Sequence, residues 1–92
     1  MAILVDGAHW EWRGRLWCHM ISDTSIEELH AFARWLGVPE RGFQGDHYDI
    51  PDDARIVAIE EGAIAVTSRE IVIALRSAGL RLPARSRSLW DK

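Results

Sequence analysis

Two segments near the start of the chain have the hydrophobic pattern of β-strands. Residues 2–5 form an unbroken apolar run that stops at Asp6, as expected of a strand buried on both faces. Residues 8–14 end in a glycine and are predicted to form a turn. Residues 15–21 alternate instead, which predicts a second strand with Leu16, Cys18 and Met20 on one face and Trp17, His19 and Ile21 on the other.

The first helix is predicted from its caps and from one apolar stripe. Thr24 and Glu27 fit a capping box, in which each residue's side chain satisfies a free backbone donor of the other. The stripe has spacings of three and four and consists of Ile26, Leu29, Phe32, Ala33 and Leu36. Gly37 favours the left-handed conformation that ends a helix, and Pro39 prevents its continuation. These signals place the helix over residues 24–36.

The second half of the chain alternates between helix and strand signals. Residues 40–50 have no periodic pattern and are predicted to form a loop. A proline and two aspartates then open a helix over 51–61, where acidic groups suit the positive end of the helix dipole. Residues 63–66 form a second buried apolar strand, and a third helix follows over 67–79 with another capping box at its start.

The order of these elements is strand, strand, helix, helix, strand, helix. It predicts a small single-domain α/β protein over residues 1–79, with a sheet of three or more strands and helices packed on the sheet. Residues 80–92 are predicted to be a basic, partly flexible tail. Three strands make a thin sheet, so we also expect a homodimer that extends it or covers an exposed face.

Composition and charge exclude several classes of protein. Ninety-two residues allow one core but not two, and 48% hydrophobic with 27% charged residues is ordinary for a globular domain. The net charge of −3 argues against a general electrostatic grip on nucleic acid. Cys18 is the only cysteine, which excludes an intramolecular disulfide. The chain shows no signal peptide and no apolar run of the ~20 residues that span a bilayer, so the expected location is the cytoplasm, away from membranes.

Polar residues follow the two predicted buried strands. Asp6 ends the first strand, and the sequence Thr-Ser-Arg-Glu follows the second. If the two strands are parallel neighbours, these ends lie at one edge of the sheet, where open α/β sheets bind ligands. The triplet His47-Tyr48-Asp49 precedes a helix and is placed to receive an anion. Asp6, Asp49 and Glu70 together would supply the oxygen ligands that Mg²⁺ or Mn²⁺ requires.

Each of these residues also has a purely structural interpretation. Glu70 would serve only as a helix cap, Asp49 as the N-cap of the second helix, and Asp6 as a turn residue. Cys18 would be a small apolar filler. The four histidines lack the close pairing of a structural zinc site; they are His9, His19, His30 and His47.

Trp10 and Trp12 lie two residues apart in the predicted turn, in a chain with five tryptophans. They either fold onto the edge of the sheet or form a surface that stacks on a base or contacts a partner subunit. No glycine-rich phosphate loop, serine elbow or zinc-finger spacing is present, which excludes several common enzyme classes.

Taken together, these residues resemble the small bacterial and phage family known as domain-of-unknown-function family 4031 (DUF4031). The similarity covers roughly residues 3–76, and its most specific parts are the Leu-His-Ala-Phe-Ala helix segment and the His47-Tyr48-Asp49 triplet. The resemblance implies a compact stand-alone domain and no particular reaction. The polar residues that carry it form the candidate site: Asp6, Arg15, His19, Asp23, His30, His47, Tyr48, Asp49, Arg69 and Glu70.

A second resemblance, to PIN-like nuclease domains, covers fewer residues. Those domains also begin with an apolar strand that ends in aspartate. Residues 58–70 echo their later helix, glycine, apolar strand and threonine followed by an acid. The chain departs from them after Asp6, where a loop and a strand replace a helix, and at Glu70, which Arg69 displaces from the position of their aspartate. The resemblance implies a metal ion held by acidic residues.

The leading hypothesis is a divalent-metal-dependent phosphodiesterase that acts on RNA. Its metal, magnesium or manganese, would be held by Asp6, Asp49 and Glu70. His47 would carry a proton, and Arg15 or Arg69 would hold the phosphate. The ligand-binding set is completed by His19, Asp23, His30 and Tyr48. The alternatives are a non-catalytic module for a nucleotide or small anion, and a protein-interaction factor that contacts a host protein through its tryptophan pair and basic tail.

Overall fold

The computed structural model describes residues 2–83. Within this range the chain forms a five-stranded sheet and three α-helices, so the predicted α/β class with helices packed on a sheet is confirmed. The strands are β1 (Ile3–Val5), β2 (Trp10–Trp12), β3 (Arg15–Ser22), β4 (Tyr48–Pro51) and β5 (Ile64–Ala65). The helices are α1 (Ile26–Leu36), α2 (Asp52–Glu60) and α3 (Ser68–Ser77), with a 3-10 turn at Glu40–Gly42. Residues 84–92, most of the predicted tail, lie outside the described residues.

The long strand β3 organises the sheet because three other strands pair with it. β1 and β2 lie end to end along one edge of β3, both antiparallel to it, and β4 lies antiparallel along the other edge. Met20 of β3, for example, pairs with Val5 on one side and with Tyr48 on the other. β5 pairs with β1 in parallel, which brings the ends of those two strands to one edge of the sheet.

The two faces of the sheet are covered by different helices. α1 and α2 pack on one face over the main core, whose buried members include Val5, Cys18, Met20, Leu29, Ala33, Tyr48, Ile50 and Ala58. α3 packs on the other face, where Ile71 and Leu75 join a smaller cluster with Ile21 and Leu4. The predicted alternation along β3 is therefore confirmed. By the same two-residue period and the strand registers, the α3 face also carries Asp6, His19 and Asp49.

Two strands form where the sequence predicted irregular structure. β2 lies within residues 8–14, predicted as a turn, and β4 begins within residues 40–50, predicted as a loop, so both predictions are partly wrong. The turn itself is only Arg13 and Gly14, with φ of 54° and 75°, and this geometry joins β2 to β3 as a tight hairpin. β4 is too short to show its period clearly, although Tyr48 is buried and the next residue is half exposed.

Two element boundaries also differ from prediction. α1 is capped by Ser25 rather than by Thr24, because the Ser25 hydroxyl accepts the hydrogen bond from the backbone N–H of Glu28. β5 is an exposed edge strand rather than a buried one, since within residues 2–83 it pairs with β1 alone. The capping box of α3 is confirmed, with side chain-to-backbone hydrogen bonds exchanged between Thr67 and Glu70. No helix in the described part of the chain is long and apolar enough to cross a bilayer.

Candidate metal centre

Asp6 and His19 are hydrogen-bonded to each other at the gap between β1 and β2 along the edge of β3. The backbone N–H of His19 donates to Asp6 Oδ1 at 2.7 Å, and Asp6 Oδ2 lies 2.7 Å from His19 Nδ1. Because an ionised carboxylate only accepts hydrogen bonds, the ring proton of neutral His19 lies on Nδ1. Asp6 thus fixes both the backbone and the ring of His19 and leaves Nε2 as the basic nitrogen.

Two further groups hold Asp6, whose side chain is fully buried. Ser68, at the start of α3, donates its hydroxyl to Asp6 Oδ2 at 2.7 Å, and Arg55 of α2 donates Nε to the Asp6 backbone carbonyl at 2.7 Å. Burial by itself raises the pKa of Asp6, but the hydrogen bonds from His19 and Ser68 outweigh it and hold the pKa below its ordinary value. Asp6 is therefore a charged carboxylate at neutral pH.

His47 is held by a second buried aspartate in the same way. His47 Nδ1 lies 2.7 Å from Asp46 Oδ1, and His47 Nε2 lies 3.2 Å from Asp49 Oδ1. Burial lowers the pKa of His47, but the hydrogen bonds to both aspartates raise it to about 9. Burial likewise raises the pKa of Asp46, and the contact with His47 brings it below its usual range. Without a metal, His47 is therefore a cation between two anions.

Residues 80–83 lie against the loop that carries Asp46. Leu82 donates its backbone N–H to Asp46 Oδ2 at 3.1 Å, and a guanidinium nitrogen of Arg81 lies 3.5 Å from the same oxygen. Gly45 permits this approach, because its φ is 96° and a Cβ atom there would meet Leu82 Cδ1 at 2.6 Å. The first residues of the segment predicted as a tail thus help to fix Asp46.

The two histidines meet across the site with Asp49 beside them. The ring centroids of His19 and His47 are 5.0 Å apart, and one ring nitrogen of each lies within 4.8 Å of the other and of an Asp49 oxygen. Since aspartates occupy both Nδ1 atoms, the Nε2 atoms are the ones left for a ligand. A divalent ion with bonds of about 2.0–2.2 Å requires ligand atoms roughly 3–4 Å apart, and His47 Nε2 and Asp49 Oδ1 already meet this requirement at 3.2 Å. His19, His47 and Asp49 are the candidate ligands, and we use the name metal centre for this candidate site.

A second group, Asp6, His9 and His19, meets the same distance limit but suits a metal less well. Asp6 already accepts three hydrogen bonds, two from His19 and one from Ser68. His9 Nδ1 is held 2.5 Å from the carbonyl oxygen of Gly7. The metal centre is the better candidate because, among the described residues, the Nε2 atoms of His19 and His47 are not hydrogen-bonded to buried groups.

A cavity of about 140 Å³ opens beside the metal centre. Its polar lining is His19, His47, Ser68 and Arg81, and its apolar wall is formed by Ile71, Val72 and Leu75 of α3. When His47 is neutral, the site contains the carboxylates of Asp6, Asp46 and Asp49 and two guanidinium groups, that of Arg81 beside Asp46 and that of Arg55 on the Asp6 backbone carbonyl. The net charge of these five groups is then negative, which favours the binding of a cation at the metal centre.

The structure brings four of the sequence-predicted site residues together, namely Asp6, His19, His47 and Asp49. The His47-Tyr48-Asp49 triplet is divided by strand alternation. The Tyr48 side chain turns to the other face of the sheet, where its hydroxyl lies 2.6 Å from His30 Nδ1. Pro51 occupies the N-cap position of α2, so Asp49 is not the cap of that helix.

The remaining sequence-predicted residues lie elsewhere. Asp23 is at the opposite end of β1 from Asp6 and accepts a hydrogen bond from the backbone N–H of Ala2. Arg15 forms an ion pair of 3.6 Å with Asp53. The exposed first turn of α3 carries Arg69 and Glu70, and the Glu70 carboxylate is engaged in the capping box.

Cys18 lies in the core, where burial raises its pKa to about 12, as expected of an apolar filler.

Sequence reasoning missed three residues that support the site: Asp46, Ser68 and Arg55. Asp46 directly precedes His47 in a glycine-containing loop, and that adjacency is a usable signal. Ser68 and Arg55 reach Asp6 from 62 and 49 positions away along the chain. No local pattern predicts such contacts, because they depend on the order of strands in the sheet.

Comparison with known proteins identifies a family. No curated protein and no solved structure matches the chain. One family profile, described as protein of unknown function (DUF4031), matches residues 3–78. That range includes the whole metal centre and both aspartates that hold its histidines, and it agrees with the resemblance found in the sequence. The chain therefore belongs to the DUF4031 family.

Proposed function

We propose that this domain is a divalent-metal-dependent phosphodiesterase whose metal is held by His19, His47 and Asp49. The observation that carries the proposal is the matched pair of histidines, each bound through Nδ1 to a buried aspartate at 2.7 Å. In a metal-binding histidine, one ring nitrogen binds the ion. A carboxylate hydrogen-bonded to the other ring nitrogen fixes the tautomer and the ring orientation and makes the histidine a stronger ligand. Two such pairs that meet within 4.8 Å of each other and of the Asp49 carboxylate favour a metal.

The nature of the ligands favours Mn²⁺ over Mg²⁺. Magnesium takes oxygen ligands and retains much of its water, whereas a set of two imidazoles and one carboxylate suits a transition metal. This revises the ligand set proposed from sequence. Asp49 remains a ligand, Asp6 orients His19 instead of binding the ion, and Glu70 caps α3.

Three protein ligands are typical of catalytic rather than structural sites, since they leave positions for water and substrate. A divalent ion here would polarise a phosphoryl oxygen and lower the pKa of the attacking water. Arg81, which lines the cavity beside both histidines, would hold a phosphate oxygen in place of Arg15 or Arg69. His47, predicted from the sequence as a proton carrier, is assigned as a ligand instead because Asp46 holds its Nδ1 and its Nε2 lies 3.2 Å from Asp49 Oδ1.

The proposal is tested by hydrolysis of bis(4-nitrophenyl) phosphate and of a labelled single-stranded RNA. We expect cleavage that requires Mn²⁺ and falls by roughly two orders of magnitude or more in Asp49→Asn. Asp23→Asn alters a carboxylate at the opposite end of β1 and should cleave at the wild-type rate.

Cleavage that continues in EDTA, or that is unchanged in Asp49→Asn, would contradict the proposal. A nucleotide bound stoichiometrically without metal and without turnover would instead support the non-catalytic binding module. If neither substrate nor nucleotide is bound, a protein-interaction factor becomes the better account.

A further inference from the structure

A row of aromatic side chains leads along the sheet to the metal centre. Trp17 lies two residues before His19 on β3, Trp10 pairs with Trp17, and Trp12 lies two residues after Trp10. All three therefore lie on the face of the sheet that carries His19. The ring centroids of Trp12 and Trp17 are 5.5 Å apart, and those of Trp10 and His19 are 4.8 Å apart. We call Trp10, Trp12 and Trp17 the tryptophan row.

The outer end of the tryptophan row is held by local contacts and is open to solvent. α3 packs near Leu4 and Ile21, at the other end of β3, and Trp12 is 53% exposed. Trp17 Nε1 donates to the carbonyl oxygen of Trp12 at 2.8 Å, and the guanidinium carbon of Arg13 lies 4.5 Å from the Trp12 ring centroid. An exposed tryptophan beside a cation, on a two-residue hairpin, is suited to contact rather than to core packing.

We infer that the tryptophan row binds a single-stranded polynucleotide by stacking on its bases. Same-face positions along a strand are roughly 7 Å apart, about twice the ~3.4 Å between stacked bases. Bases that lie on Trp10 and Trp12 must therefore be separated from each other, which an unpaired strand allows and a duplex does not. Stacking on aromatic rings supplies affinity that does not depend on the net charge of the protein, which is −3 here.

The row gives the proposed enzyme its substrate class. Because Trp10 contacts His19, a base stacked on Trp10 would bring its nucleotide close to the metal centre. This step rests on the proposed function, whereas the binding itself does not require a metal. The two claims can therefore be tested separately.

The test is fluorescence anisotropy with labelled eight-nucleotide single strands of RNA and of DNA, measured in EDTA so that no cleavage occurs. Trp12→Ala should weaken binding roughly tenfold, the effect of losing one stacked base. Trp35→Ala is the matched control: Trp35 is 74% exposed but lies on α1, on the other side of the sheet, and its loss should leave the affinity unchanged. Thermal midpoints confirm that both variants fold.

Several results would overturn the inference: no binding by the wild type, equal affinity of wild type and Trp12→Ala, equal loss in Trp35→Ala, or a duplex bound as tightly as the single strands. A dimer by sedimentation that Trp12→Ala converts to monomer would show that the row contacts a second copy instead. If binding behaves as expected but Mn²⁺ produces no cleavage, the proposed function fails and the polynucleotide site remains.

Discussion

At the scale of single residues, Asp6 and Asp46 play one role for two histidines from different parts of the chain. Each aspartate is fully buried, each lies 2.7 Å from a histidine Nδ1, and each has a lowered pKa because hydrogen bonds outweigh its burial. Asp6 is reached by Ser68 and Asp46 by Leu82, so neither carboxylate relies on its histidine alone. Two charged side chains are thereby kept in a buried region where an unpaired charge would be strongly unfavourable.

Asp6→Asn tests whether this carboxylate orients a ligand. An amide cannot accept the Nδ1 and hydroxyl donors with the strength of a carboxylate, so we expect roughly 10- to 100-fold weaker Mn²⁺ affinity. The free energy of unfolding should also fall, by about 1–3 kcal/mol. Calorimetric titration and thermal denaturation measure the two effects. Asp23→Asn, which loses a carboxylate bonded to a backbone N–H at the opposite end of β1, should keep full Mn²⁺ affinity; equal loss in both variants would contradict the role of Asp6.

The pH dependence of stability follows from the pKa shifts in the metal-free protein. His47 has its pKa raised from 6.5 to about 9, so its stabilising contribution is complete below pH 6.5 and is lost as the pH rises through 9. The pKa values of Asp6 and Asp46 are lowered from 3.8, so their contribution is complete above that pH and is lost as the pH falls. The free energy of unfolding should be highest near pH 5–6.5. It should decline by about 3 kcal/mol toward alkaline pH.

Thermal midpoints from pH 4 to 10 test this expectation. His47→Gln removes the titrating ring, so the alkaline decline should be absent from that variant. An unchanged decline in His47→Gln would show that another group causes it. Mn²⁺ affinity should show the opposite trend and increase as the pH rises, because the metal must displace the His47 proton.

At the scale of secondary structure, the sequence predicted those elements whose signals are local. The stripe of α1, the Thr67–Glu70 capping box and the alternation of β3 all appear in the structure. β2 and β4 were not predictable in the same way, because three or four residues give too little periodicity beside Gly14 and Gly45. The missed β4 matters most, since its alternation sends His47 and Asp49 to one face and Tyr48 to the other.

Individual residues of the site could be predicted from the sequence, but not how they meet. Asp6, His19, His47 and Asp49 could be selected from sequence, but the sheet order that makes His19 face Asp49 could not. Glu70 shows the converse. Its position after a strand predicted to lie parallel to the one that ends at Asp6 suggested a shared metal, but its hydrogen bonds with Thr67 make it a helix cap instead.

Glu70→Ala distinguishes a helix cap from a metal ligand. The substitution removes one half of the capping box, so the free energy of unfolding should fall by about 0.5–1 kcal/mol while Mn²⁺ affinity stays constant. Thr67→Ala removes the other half and should have a similar effect on thermal stability. A large loss of Mn²⁺ affinity in Glu70→Ala alone would return this residue to the metal site.

At the scale of the whole molecule, the candidate metal centre lies where most elements of the sheet meet. His19 comes from β3, Asp49 comes from β4, and His47 directly precedes β4. Asp6 follows β1, and Ser68 is the first residue of α3. An ion bound at this junction would therefore stabilise the folded domain as a unit rather than one loop. The homodimer, the cytoplasmic location and the flexible tail stay predictions, and sedimentation would test the first of them.

The most direct test of the metal centre is a titration of metal-free protein with Mn²⁺, followed by heat and by thermal midpoint. We predict one ion per chain and a stabilisation of about 2.7 kcal/mol at a hundredfold excess over Kd, which is several degrees for a domain of this size. His19→Ala should abolish the shift, while His30→Ala, which alters a half-buried histidine bonded to Tyr48 on the other face, should retain it. The absence of a shift in the wild type, or its equal loss in both variants, would contradict the account.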